Sequence, residues 1–145
     1  MTEKTGIGQD SHAFEEAPGK PLILAGIKLD HPIGLKGNSD ADVVLHSITN
    51  AISSITGNNI LGSVADQLSQ EGVTDSSNYL KLALDDLEDW KISHIAIAIE
   101  CLKPKISPQI DSMKKSIAKL CHINKTDVGI TATTGEGLTA FGKGE

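Results

Sequence analysis

The stretch Ile92-Ser93-His94-Ile95-Ala96-Ile97-Ala98-Ile99-Glu100 alternates isoleucine with alanine, so it is apolar on both faces of a pleat. Its length and pattern predict a central strand. Downstream, Ser107-Pro108 gives the cap-plus-proline order of a helix start, and Ile110, Met113, Ile117 and Leu120 mark that helix's buried face. Residues 127–134 predict another strand, followed by the glycine-rich stretch 135–145. Upstream, Tyr79, Leu80, Leu82, Ala83, Leu84 and Leu87 predict a helix over about 77–90. Before it, residues 57–77 break into Gly, Asn, Ser and Asp and read mostly as a long loop, with a helical turn near 61–68.

Further upstream, Val44, Leu45, Ile48, Ile52 and Ile55 recur at helical spacing, which predicts a helix from Asp42 to about Thr56. Ser39 or Asp40 can cap it, with Asp42 in its first turn. Residues 6–14 read as a strand and 22–29 as a second, joined around Pro18-Gly19 into a hairpin. The order β-β-α-α-β-α-β predicts an α/β sandwich, a mixed sheet with helices packed on one face.

The chain has 145 residues, 39% hydrophobic and 22% charged, which suits one domain over 1–145. Aromatics supply only 3%, so aliphatic side chains must build the core. The formal charge of -6 argues against general nucleic-acid binding, which needs surplus Lys and Arg to neutralise phosphates. A single phosphorylated small molecule remains compatible, because a metal ion or helix N-terminus acts locally. Cys101 and Cys121 form no C-x-x-C pair and read as free buried thiols in a reducing compartment. The first residues lack an apolar signal region, and no run is long enough to span a membrane, so the expectation is a soluble cytoplasmic protein.

Asp10 and His12 stand two apart on an extended segment, hence on one face, and His46 lies one helical turn after Asp42. One Asp and two His would leave an open position on a tetrahedral ion; the plainer reading makes each His a hydrogen-bonded core or rim residue. Thr131-Ala132-Thr133-Thr134 followed by Gly135-Glu136-Gly137 is either a phosphate cradle or an ordinary glycine turn, and no Walker pattern is present. Lys103-Pro104-Lys105 reads as solvated lysines around a strand stop. His31, His94 and His122 read as packing or capping residues.

Four segments occur in order: Gly8-Gln9-Asp10-Ser11-His12-Ala13-Phe14, Ser39-Asp40-Ala41-Asp42-Val43-Val44-Leu45-His46, Lys103-Pro104-Lys105-Ile106-Ser107-Pro108 and Thr133-Thr134-Gly135-Glu136-Gly137-Leu138. Together they resemble the 2-C-methyl-D-erythritol 2,4-cyclodiphosphate synthase family, from about Gly6 to the last residue. The resemblance implies a homotrimer with active sites between subunits. It implies a divalent ion, Zn²⁺ or another such as Mn²⁺, on Asp10, His12 and His46, and Mg²⁺ or Mn²⁺ on Glu136 with the diphosphate. It implies the substrate 4-diphosphocytidyl-2-C-methyl-D-erythritol 2-phosphate, cyclised with release of CMP in the non-mevalonate route to isoprenoids.

By the same resemblance, Glu100, Pro104, Lys105 and Ile106 belong to the cytosine pocket. Thr134 orients the phosphates, and Asn38, Ser39, Thr133 and Lys143 lie at the substrate. The chain departs from the family pattern in four places. Asn38 stands where His is usual, and Lys143 where Arg is. Residues 57–66 lack the usual sugar-contacting sequence, leaving Asn59, Gly62 and Asp66 as stand-ins. The family's final strand, past the Gly-Glu motif, has no counterpart before Glu145. Two other readings follow: a non-catalytic homologue that binds metal and cytidine nucleotide, or a metal-dependent hydrolase using a bound water.

Overall fold

The computed structural model describes residues 2–145. Its elements are β1 (Leu22–Leu24), β2 (Ile27–Leu29), α1 (Val43–Thr56), α2 (Ser63–Gln70), α3 (Ser76–Asp85), β3 (Ile95–Glu100), α4 (Ile110–Cys121), β4 (Val128–Thr133) and α5 (Ala140–Lys143). Short 3-10 turns sit at Ser107–Gln109, Lys125–Asp127 and Gly135–Gly137. The α/β class expected from the sequence holds, with helices α1, α3 and α4 supplying most of the core.

Helix α1 forms where the apolar spacing requires, burying Val44, Leu45, Ile48 and Ile52, and stops at Gly57, whose φ of 78° ends it in the left-handed region. Its cap is Asp42, not Ser39 or Asp40. The Asp42 carboxylate accepts the Leu45 N–H at 3.0 Å and also the N–H groups of Ala25 (2.9 Å) and Gly26 (2.7 Å). Those two residues form the turn of the β1–β2 hairpin, both with positive φ, and the register pairs Leu22 with Leu29. Ser39, Asp40 and Asp42 are all cap-forming residue types, so only the position of the hairpin decides among them.

Strands β3 and β4 are parallel, with α4 between them in sequence, and the register runs from Ile95 opposite Val128 to Glu100 opposite Thr133. This βαβ unit places Glu100 and Thr133 side by side at the carboxyl ends of both strands, where α/β folds present their ligand sites. Ile95, Ile97 and Ile99 pack inward against the core, while Ala96 and Ala98 are exposed. The expected burial of both faces is therefore corrected. Alanine is small enough to be tolerated on an open face, and among the described residues both alanines stay open to solvent.

Residues 6–14 are extended but form no strand beyond a single bridge from Phe14 to Leu35, and they do not pair with 22–29. Instead the segment runs along α1. Helix α3 stops at Asp85 rather than Trp90, because the acidic run Asp85-Asp86-Leu87-Glu88-Asp89 opposes the negative C-terminal end of a helix. The loop expected over 57–77 contains helix α2 as a full element, with Asp66 favourably placed in its first turn. Among the described residues, no helix is long and apolar enough to cross a membrane.

Candidate metal centre

Two glycines let the N-terminal segment reach the site. A Cβ at Gly6 would stand 2.3 Å from the Ala51 carbonyl oxygen, and one at Gly8 would stand 1.9 Å from that of Ser47. Any side chain there would push the segment off α1. The contact is stitched by the Ile7 N–H to Ser54 Oγ at 3.2 Å and by Asn50 Nδ2 to the Gln9 carbonyl at 3.3 Å. Asp10 thereby comes level with His46, one helical turn before Asn50.

His46 Nδ1 lies 3.0 Å and His12 Nε2 3.3 Å from the same atom, Asp10 Oδ2. The three donor atoms all fall within 4.8 Å of one another. Zinc with bonds of about 2.0–2.1 Å in tetrahedral geometry sets neighbouring donors roughly 3.3 Å apart, so the triad fits such an ion and leaves one position free. The His46 side chain is 9% exposed, and those of Asp10 and His12 23% and 26%. The site thus has a buried base and an open mouth.

His12 is held in one tautomer. Its Nδ1 lies 2.7 Å from the Lys36 carbonyl oxygen, which only accepts, so Nδ1 carries the proton and Nε2 presents its lone pair to the site. His46 Nε2, on the far side of its ring, lies 2.7 Å from Ser76 Oγ. Ser76 starts α3 and is fully buried. It was missed at the sequence level because a serine opening a helix reads as a cap residue.

A second cluster forms at the carboxyl ends of β3 and β4. The Thr139 hydroxyl donates to Glu100 Oε2, and Gly142 packs so closely that a Cβ there would stand 2.3 Å from that oxygen. Leu102 N–H donates to the Gly142 carbonyl at 2.8 Å, and Gly142 N–H to Thr139 Oγ1 at 2.9 Å. Glu100 therefore anchors the C-terminal segment to the strand end through its carboxylate, and Thr139 and Gly142 join it as residues that sequence reading did not single out. Thr133 and Thr134 accept the N–H groups of Gly135 (3.1 Å) and Glu136 (3.2 Å), shaping the turn, and Glu136 has a φ of 55°. Glu136 is exposed and lies outside the converging triad. Lys143 Nζ pairs with Glu145 at 3.3 Å.

The remaining expected residues divide. The Ile106 side chain is buried in the core, so only its backbone can face a ligand; Pro104, joined to Lys103 by a cis peptide, is half-buried, and Lys105 is exposed. Ser39 Oγ accepts the Ala41 N–H at 3.0 Å. Asn38 and Asp66 line one open cavity of about 420 Å³ with Ser69 and Gln70, and the Asn38 carbonyl accepts the Ser69 hydroxyl at 2.8 Å. Gly62 caps α2 with a φ of 115°. His122 ends α4 in the left-handed region, His31 packs on Phe14 with ring centroids 5.7 Å apart, and His94 lies beside Gly129.

Neither thiol is poised as a nucleophile. Burial pushes Cys121 up to about 11, and burial likewise raises Cys101. Burial also raises Asp42 to about 6, against the three N–H bonds that favour its charge, with Asp40 adding repulsion.

The YgbB family model matches residues 3–145. A 2-C-methyl-D-erythritol 2,4-cyclodiphosphate synthase of Chlamydia felis is 50% identical over 145 residues, covering 98% of this chain and 82% of the relative; that of Chlamydia muridarum is 48% identical over 144 residues, covering 97% and 81%. Among solved structures, the bifunctional IspDF from Campylobacter jejuni superposes with a TM-score of 0.85 at 31% identity, covering 97% of this chain, which spans 38% of that larger protein. A 2C-methyl-D-erythritol-2,4-cyclodiphosphate synthase in its CDP-bound form superposes with a TM-score of 0.78 at 27% identity, covering 93% of this chain and 91% of that one. Half the residues shared along nearly the whole length, over one fold and around a convergent Asp-His-His triad, place the chain in the YgbB family, that of the 2-C-methyl-D-erythritol 2,4-cyclodiphosphate synthases.

Proposed function

We propose that this chain cyclises 4-diphosphocytidyl-2-C-methyl-D-erythritol 2-phosphate to 2-C-methyl-D-erythritol 2,4-cyclodiphosphate, releasing CMP. The observation that carries the reading is the meeting of Asp10, His12 and His46 within 4.8 Å at the mouth of a buried helix face. An oxygen of the 2-phosphate attacks the β-phosphorus, the bond from that phosphorus to the bridging oxygen breaks, and the α-phosphate leaves as part of CMP. This is a phosphorus-oxygen lyase reaction. It joins two anions, so the protein must position them and neutralise charge, and no protein nucleophile is needed.

Asp10, His12 and His46 would hold Zn²⁺ or another divalent ion such as Mn²⁺, and Glu136 a second, Mg²⁺ or Mn²⁺. Bound there, these ions would polarise the diphosphate and offset the charge developing on it. The turn from Thr133 to Gly137 offers hydroxyl and backbone N–H groups to phosphate oxygens, and Thr134 is assigned to orienting them. Lys143 contributes an ammonium charge in place of a guanidinium fork, a point charge rather than a bidentate clamp. Backbone groups at Glu100, Pro104, Lys105 and Ile106 take the cytosine edge, and the CDP-bound relative supports a cytidine site in this fold.

Asn38 and Ser39 face the sugar phosphate. We assign the working unit as a cytoplasmic homotrimer of single domains with sites between subunits; the uncovered Ala96 and Ala98 face of β3 and the exposed Ile7 and Phe141 supply apolar surface for it. Incubating metal-loaded protein with the substrate and following phosphorus NMR should show the cyclic diphosphate and CMP appearing together. Absence of both, with metal bound, overturns the assignment.

A second reading, a non-catalytic protein that binds metal and cytidine nucleotide, is favoured by one observation. Asn38 shares its cavity with the carboxylate of Asp66 and no cationic side chain, a poor setting for a sugar phosphate. Calorimetric binding of CMP without turnover of substrate selects that reading.

A further inference from the structure

We propose that Ser76 and Asp40 are a positioning pair that fixes His46 in the tautomer able to bind metal. The inference rests on the metal-site reading and concerns residues outside the triad. It starts from a count of protons. The Ser76 hydroxyl has one, and two groups compete for it: Asp40 Oδ1, at short hydrogen-bond contact, and His46 Nε2 at 2.7 Å.

Asp40 settles the competition because its carboxylate is held as an acceptor from both sides. Oδ2 takes the Ser76 backbone N–H at 3.0 Å, and Oδ1 takes the Asp42 N–H at 3.1 Å. The hydroxyl proton therefore goes to Asp40, and Ser76 Oγ turns a lone pair to the imidazole. His46 must donate from Nε2. A neutral imidazole has one ring proton, so with the ion bound Nδ1 keeps its lone pair for it; without an ion, Asp10 Oδ2, an acceptor 3.0 Å away, draws a proton to Nδ1 as well.

Ser76 is fully buried and His46 is 7% exposed, so water cannot take over the hydroxyl's part. The ring is also flanked by Tyr79 of the same helix, with centroids 6.2 Å apart. Helix α3 thus reaches across to a ligand on α1, and the loop before α1 reaches back through Asp40. Outer-shell partners of this kind orient metal-bound histidines, and losing one commonly costs about 10–100-fold in metal affinity.

The test is zinc affinity by competition with a chromogenic chelator, with folding of each variant checked by circular dichroism. Ser76→Ala and Asp40→Ala are each expected to bind zinc about 10–100-fold more weakly than the unaltered protein, and Ser76→Thr, which keeps the hydroxyl, within about threefold of it. In the zinc-loaded protein, nitrogen-15 NMR of the His46 ring should show a proton on Nε2 that exchanges slowly with solvent, and Asp40→Ala should speed that exchange, since the hydroxyl is then no longer turned to accept it. Where a Ser76 variant does not fold, Asp40→Ala and the nitrogen-15 spectrum of the zinc-loaded unaltered protein decide. Zinc binding by the folded alanine variants within twofold of the unaltered protein, or a zinc-loaded His46 whose Nε2 proton exchanges as fast as that of an exposed imidazole, overturns the proposal. His46→Ala separates the two readings: if it too keeps its zinc, the metal site itself is wrong.

Discussion

The two clusters that flank the candidate site are built by opposite means. The metal triad is made of side chains, and every part of it is braced: Asp10 by a segment laid on α1, His12 by the Lys36 carbonyl, His46 by Ser76. The strand-end cluster is made largely of backbone, glycine and exposed hydroxyls, with the Glu100 carboxylate as its main tie. The difference teaches where each half is vulnerable. The first fails by losing a ligand atom and the second by gaining an atom.

The largest effect should come from His46→Ala. Two remaining ligands rarely hold zinc against solvent, so metal content should fall to below about a tenth of stoichiometric, while CMP binding by calorimetry stays within about threefold. Loss of both together would break the division between the halves. The converse change is Gly142→Ala. A methyl group 2.3 Å from Glu100 Oε2 must displace that carboxylate or the α5 segment, and overpacking of this kind typically costs about 1–3 kcal/mol. CMP affinity should weaken about tenfold with zinc content unchanged, and a loss of zinc instead would show the clusters to be one.

The smallest effect concerns Asp42, which belongs to the braced half. Its folded value of about 6 lies above the ordinary 3.8, so the folded state holds this proton more tightly than the unfolded chain. The sign is the reverse of the usual carboxylate: the associated stability is present below about pH 4 and is lost as pH rises toward about 6. Relative to Asp42→Asn, the unaltered protein should lose on the order of 2 kcal/mol across that window, read from urea midpoints of metal-free protein. A difference between the two that grows with pH would mean that the three N–H bonds outweigh burial.

Much of this was readable in the sequence, and the failures share one cause. The pairing of Asp10 with His12 was legible because an i, i+2 pair on an extended chain shares one face, whereas His46 joined them only through the resemblance to a known family. Helix α1 and the βαβ unit were legible because their apolar spacing is long and regular. What escaped depended on partners distant in sequence. Residues 6–14 read as a strand, yet their neighbour is a helix, which Gly6 and Gly8 reveal only once α1 is in place. The Ile and Ala alternation of β3 cannot say which face stays open. Ser76 looked like the start of a helix, and its contact with His46 spans 30 residues.

Asp42 has a consequence beyond its helix. A hairpin tip is ordinarily where a chain frays first, opening to solvent at little cost. Here, releasing the Ala25 and Gly26 amides would strip two of three partners from a carboxylate with no exposed surface, a penalty set by desolvation rather than by the turn. The tip is thereby bound into the cooperative unit of α1, and exchange of those two amides with deuterium is governed by opening of the whole core.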